Sequence, residues 1–128
     1  MIKSYSHDEH FEIFKKWNDA RFQYGVEAWM LPDLGFVCND NAMAFLVTTN
    51  SPVAWLGNWI VNPDCSREER KMLIGELIVE LEKVAKEKGF KLTQTLGMVG
   101  LGLSEILKSY GYSSTDGEYS FFVKDIRR

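Results

Sequence analysis

The fold is decided between Val53 and Gly89, in the run VAWLGNWIVNPDCSREERKMLIGELIVELEKVAKEKG. Val53 to Val61 is a β-prone stretch that stops at Asn62-Pro63. Ser66, followed three residues later by Glu69, has the form of a capping box, in which each side chain satisfies an exposed backbone donor of the other residue. Met72, Leu73, Leu77, Leu81, Val84 and Ala85 then recur at helical spacing, flanked by Ile74 and Ile78. The pattern predicts a helix from Ser66 to Lys88 with one buried stripe. Glu82 and Lys86, four apart, make a favourable pair on its polar side, and Gly89 stops it. Phe90 to Thr95 is β-prone again. Strand, long helix, strand is a crossover unit, so the two strands are expected to run parallel around the helix.

Upstream, Gly35 to Asn39 stops at Asp40-Asn41, and Ala42 to Thr49 stops at Asn50-Ser51-Pro52. Connections this short require antiparallel neighbours, so a meander precedes the crossover. Residues 1–5 suit a short opening strand. From Ser6 or Asp8 to about Arg21, the apolar Phe11, Phe14, Trp17 and Ala20, and then Phe22, alternate with Glu12, Lys15, Lys16 and Asp19 in the manner of an amphipathic helix. His7 and His10 fall at its start, where exposed polar positions are the default. Residues 23–33 are irregular and hold Trp29. Downstream, Gly97, Gly100 and Gly102 break the chain before a short helix from Ser104 to Tyr110, which Gly111 ends. Two more strands are expected, around Tyr112 and at Tyr119 to Val123. The order is β-α-β-β-β-α-β-α-β-β, an α/β fold with a mixed sheet, read as a single domain over residues 1–128.

Composition narrows the function classes. With 128 residues, 45% hydrophobic and 26% charged, the chain has the make-up of a globular protein. A net charge of −3 argues against general nucleic-acid binding, which needs a basic face. No run of about 20 apolar residues is present to span a membrane, and the N-terminus lacks the apolar core of a secretory signal, so a cytoplasmic location is expected. Cys38 and Cys65 are far apart and read as reduced thiols rather than a disulfide or metal site.

The element order resembles that of the GNAT N-acetyltransferases over nearly the whole chain. Trp59-Ile60-Val61-Asn62-Pro63 looks like that family's fourth strand and its exit. Leu77 to Gly89 looks like its long third helix, Phe90 to Thr95 like its fifth strand, and Leu103 to Tyr112 like its closing helix. The chain is also similar to short, divergent, phage-encoded GNAT-like proteins, in which an Asn-Pro exit is followed by Ser-x-x-x-Arg, here Asn62-Pro63 and Ser66 to Arg70.

The resemblance implies acetyl-CoA as cofactor and direct attack by an amine-bearing small molecule or protein acceptor, with a homodimer allowed. It places the pantetheine arm on the backbone of Trp59 and Val61, and the phosphates on Ser66, Arg67, Arg70 and Lys71, whose side chains would stand in for glycines; the other reading of this Arg/Glu stretch is a solvated first helical turn. It implies Tyr110 as the stand-in for the family's thiolate-protonating tyrosine, because the usual position is Leu107. The departures are specific. The family carries glycines where this chain has Arg67 to Ile74; Gly75 comes a turn later, and Glu68 and Glu69 stand where phosphates would go. No acid lies in Val53 to Val61 to act as general base. Two function classes follow: an N-acetyltransferase, or a GNAT-shaped module that has lost its cofactor site and binds another protein. An unrelated α+β fold is the remaining alternative. Trp17, Trp55 and Trp59 are expected in the core, Trp55 and Trp59 on one face of their strand. Trp29 is the best candidate for a pocket wall, and Lys124, Arg127 and Arg128 read as a solubilising tail.

Overall fold

The long helix forms where its capping box puts it. Ser66 Oγ accepts the Glu69 N–H at 3.1 Å, and the Ser66 N–H donates to Glu69 Oε1 at 3.2 Å. This helix, here α2, spans Arg67–Glu87 and buries Leu73, Ile74, Gly75, Leu77, Ile78, Leu81 and Ala85. The computed structural model describes residues 1–22, 25–96, 102–114, 122 and 124–127. The remaining elements among them are β1 (Ile2–Ser4), α1 (His7–Arg21), a one-turn 3-10 segment (Ala28–Met30), β2 (Gly35–Cys38), β3 (Ala42–Val47), β4 (Val53–Val61), β5 (Leu92–Gln94) and α3 (Leu103–Ser109).

The strands form one sheet in the order β1-β2-β3-β4-β5. The first four pair antiparallel, while β4 and β5 pair parallel across α2, as the crossover requires. One face carries Phe36, Ala44, Leu46, Leu56 and Val61 against α2 and α3. The other carries Val37, Met43, Phe45 and Ile60 against Phe14 and Trp17 of α1. A strand buried on both faces loses the alternation of a half-exposed one, and β2 and β3 are accordingly buried at nearly every position.

Several expectations need correction. Residues 112–114 form no strand, and Tyr112 instead turns inward, its hydroxyl donating to Glu82 Oε2 at 3.0 Å. The strand expected at Tyr119 to Val123 lies outside the described residues apart from Phe122, which is exposed and not in a strand. His10 is buried rather than exposed: its Nδ1 accepts the Ser6 N–H at 3.0 Å, while Ser6 Oγ accepts the Glu9 N–H. The imidazole thus does at the head of α1 what Glu69 does at the head of α2.

Trp55 and Trp59 do not share a face. Between the pairs Met43↔Ile60 and Phe45↔Gly57 the register slips by one residue, and Asn58 has a φ of 54°. That is a β-bulge, which flips the side-chain alternation beyond it. Trp59 and Val61 consequently join Ala54 and Leu56 on the α2 face, and Trp55 stays on the other.

Gly75 has a packing role. A Cβ there would lie 2.2 Å from the Tyr110 hydroxyl, whose ring rests across α2 at this point. In an otherwise free helix position, Gly→Ala is stabilising by about 1 kcal/mol. Gly75→Ala is therefore expected to be neutral or destabilising in the native chain and stabilising by about 0.5–1 kcal/mol when Tyr110 is also alanine, the difference being read from a double-mutant cycle of urea denaturation. Leu77, with no exposed surface, sets the scale for the core. Leu77→Ala is expected to cost about 2–5 kcal/mol in the same assay.

Candidate functional site

β4 outruns its neighbour. β5 pairs only with Val53, Ala54 and Trp55, whereas β4 continues to Val61 and stays paired with β3 up to Val61↔Ala42. Among the described residues, no strand covers the other edge of β4 beyond Trp55. The direction of its backbone groups there follows from one bond. The Asn62 N–H donates to Asn41 O at 2.8 Å, so residue 62 points toward the β3 side. Alternation turns Ile60 the same way and aims the N–H and C=O of Trp59 and Val61 at the uncovered edge. The two differ in their side chains. Val61 is buried beneath α2, while Trp59 is half-buried and its Nε1–H donates to Thr95 Oγ1 at 3.1 Å, across the end of β5.

At the end of that edge the chain turns through Asn62 to Cys65 into the head of α2. The turn is tied by Asn62 Oδ1, which accepts the Asp64 N–H, and by Asn62 O, which accepts the Cys65 N–H. A helix start leaves its first N–H groups without internal partners. Here the capping box uses those of Ser66 and Glu69, so the Arg67 and Glu68 N–H groups remain the helix's open donors. Glu69 folds back on Ser66. Glu68 lies along the outer side of the helix, in a groove with Lys71, Met72, Ser109 and Tyr110.

The four side chains expected to act together are therefore divided. Ser66 is committed to its cap, Arg67 is exposed, and Lys71 lies in the outer groove. Arg70 turns inward. Its Nε is buried and has no hydrogen-bond partner among the described residues. Arg21, the exposed last residue of α1, is near enough for the charge of Arg70 to act on it. Burial first, and the charge of Arg70 second, hold the Arg21 guanidinium below its ordinary pKa. The Cys65 thiol is pushed up by burial and by Glu69 and pulled back by both arginines.

A buried guanidinium N–H with no partner among the described residues, in the field of a second guanidinium, is an arrangement that an anion would complete. Sequence reasoning missed Arg21. It looks like an ordinary basic residue in a last helical turn, and only the sheet between the two helices brings it to Arg70. Tyr110 is the stand-in that the resemblance implies, with core packing as the other reading of the same residue. Its ring lies on α2 over Gly75, 42% exposed.

No protein-family model matches the chain, and no curated protein does. Solved structures do. Rv2747 from Mycobacterium tuberculosis, solved in complex with CoA, superposes with a TM-score of 0.73 at 11% identity, over 94% of this chain and 76% of that one. The ribosomal-protein-S18-alanine N-acetyltransferase of Escherichia coli gives 0.67 at 20% identity, over 91% and 79%. An aminoglycoside acetyltransferase from an uncultured soil metagenomic sample, in complex with sisomicin, gives 0.66 at 10% identity, over 97% and 95%. At such identities the likeness speaks for architecture, and it agrees with the mixed sheet and its three helices: the chain has the fold of the GNAT acetyltransferases.

Proposed function

We propose that the protein is an N-acetyltransferase that takes acetyl-CoA at the uncovered edge of β4 and the head of α2. The observation that carries this reading is the pairing of two unsatisfied features at one place. One is a strand edge whose Trp59 and Val61 backbone groups have no strand partner among the described residues; the other is the buried Nε of Arg70, unpaired among the described residues, with the charge of Arg21 in its neighbourhood. An extended amide-bearing arm suits the first, because it can accept and donate as an added strand would. A diphosphate suits the second.

The residues present fit the cofactor by a route other than a glycine loop. Side-chain charge from Arg70 and Arg21, with Arg67 at the rim and the open Arg67 and Glu68 N–H groups, replaces backbone approach through glycines. Ser66 contributes by shaping the helix start. Lys71, in the outer groove, is left a peripheral part. When bound, acetyl-CoA supplies an acetyl group activated as a thioester.

The chain's own work is to hold that arm in line with β4 and to admit an amine from the α1 side. The amine must lose a proton, and β4 itself offers no acid. Water at the strand edge is the acceptor this geometry favours. Tyr110, seated over Gly75, would have to leave α2 to protonate a thiolate. The acceptor class is an amine on a small molecule or a protein, as in the E. coli and metagenomic neighbours.

Arg70 separates this enzyme from a GNAT-shaped module that binds a partner instead. A side chain kept for an anion and left unpaired without one should cost stability in the free protein. Arg70→Met is expected to leave the ligand-free melting temperature unchanged or to raise it, by about 1 kcal/mol of stability at most. It should weaken acetyl-CoA binding by calorimetry roughly tenfold to a hundredfold. Arg21→Met is expected to act in the same direction. No heat and no thermal shift with the native chain at millimolar acetyl-CoA would support the binding-module reading.

Affinity should also fall as salt rises. Contacts between guanidinium groups and phosphates are screened over a Debye length of about 8 Å at physiological ionic strength. Calorimetric titrations at low and high sodium chloride check this, and a salt-independent affinity would count against phosphate contacts.

A further inference from the structure

Trp29 stands 59% exposed on the 3-10 turn between α1 and β2, yet its ring face is covered. The guanidinium of Arg127 lies over it, with the central carbon 4.5 Å from the ring centroid. The indole Nε1–H donates to Glu27 Oε2, which fixes the ring plane. It also sets a carboxylate near enough to the guanidinium to help raise its pKa, behind the larger effect of Asp125. Asp125 prepares Arg127 from its own side. Its Oδ2 accepts from Nη2 at 2.6 Å, and its Oδ1 accepts from Nε and from the backbone N–H, both at 3.0 Å.

A ring face with a carboxylate at its edge is a receptor for a cation. The contacts that the described residues of the segment filling it make are exposed ones. Asp125 and Arg127 are neighbours in sequence and both face solvent, and exposed pairs of this kind hold weakly. The segment's described apolar residues, Phe122 and Ile126, are 89% and 83% exposed.

We propose that Trp29 and Glu27 form a binding site for a guanidinium-bearing ligand, and that Arg127 is its built-in occupant, displaced when such a ligand arrives. This goes beyond acetyl transfer and stands whether or not acetyl-CoA binds, because neither residue belongs to the β4 edge or the head of α2. Arg127 would set a threshold. A ligand must compete with an arginine already tethered to the site, whose effective concentration is on the order of millimolar.

The test is a titration of the full chain with arginine amide, followed by the indole N–H signal of Trp29 in 15N-correlated spectra, with Trp29→Leu used to assign the signal. Arg127→Gln is expected to make the response appear at about three- to tenfold lower arginine amide than in the native chain. Adding Glu27→Gln to Arg127→Gln should reverse most of that gain, and the neutral isostere citrulline amide should produce no response in any variant. Equal affinities in the native chain and Arg127→Gln would overturn the proposal. So would a citrulline amide response matching that of arginine amide, or a Trp29 signal that stays still throughout. All of these side chains are exposed, so unchanged melting temperatures are expected and serve as the check on folding.

Discussion

The structure turns on the mismatch in length between two parallel strands. β4 is nine residues long and β5 is three, and every backbone polar group that a strand presents must find a partner or face water. The antiparallel side of β4 is satisfied by β3 to its last residue. The parallel side is satisfied for three residues and then left with groups that point at no described strand. A sheet edge of this kind is ordinarily blunted by charge, proline or a covering loop. Here the edge runs through Gly57, Asn58, Trp59 and Ile60 with neither a charge nor a proline until Pro63.

The bulge at Asn58 gives that edge its character. One extra residue in β4 increases the local twist, which turns the strand's exit relative to β5. It also returns Trp59 to the α2 face, where the indole ties β4 to Thr95. The same residue count decides which side chains line the gap and which backbone groups look into it. Five residues, 62–66, separate the end of β4 from the start of α2, so the open helix start follows closely on the uncovered edge. Arg70 turns its Nε inward near that point, and its charge acts on Arg21 at the end of α1, an effect that a bound polyanion would offset.

Much of this was legible in the chain itself, and the parts that were not share a cause. The capping box of Ser66 and Glu69, the apolar stripe of α2 and the punctuation by Asn, Asp, Gly and Pro are local signals, and they located the meander and the crossover. β4 was read to its correct ends. The bulge was not read, because it depends on how Met43 and Phe45 pair across the sheet rather than on any turn residue. His10 was misplaced because a histidine in a capping role carries no spacing signature, and Arg21 was overlooked because its partner is 49 positions away, at 70 − 21. Gly75 looked like a phosphate-loop glycine that had slipped by a turn. Only the ring of Tyr110 resting upon it shows why a glycine stands there.

The central claim is that the β4 edge and the α2 head act as one anion-ended cleft. The most direct measurement is a 15N-correlated spectrum of the labelled chain with and without coenzyme A. The backbone N–H signals of Trp59, Val61, Arg67 and Glu68 are expected to move together and saturably, along with the Arg70 Nε–H. Shifts confined to other elements, or none at millimolar ligand, would contradict it.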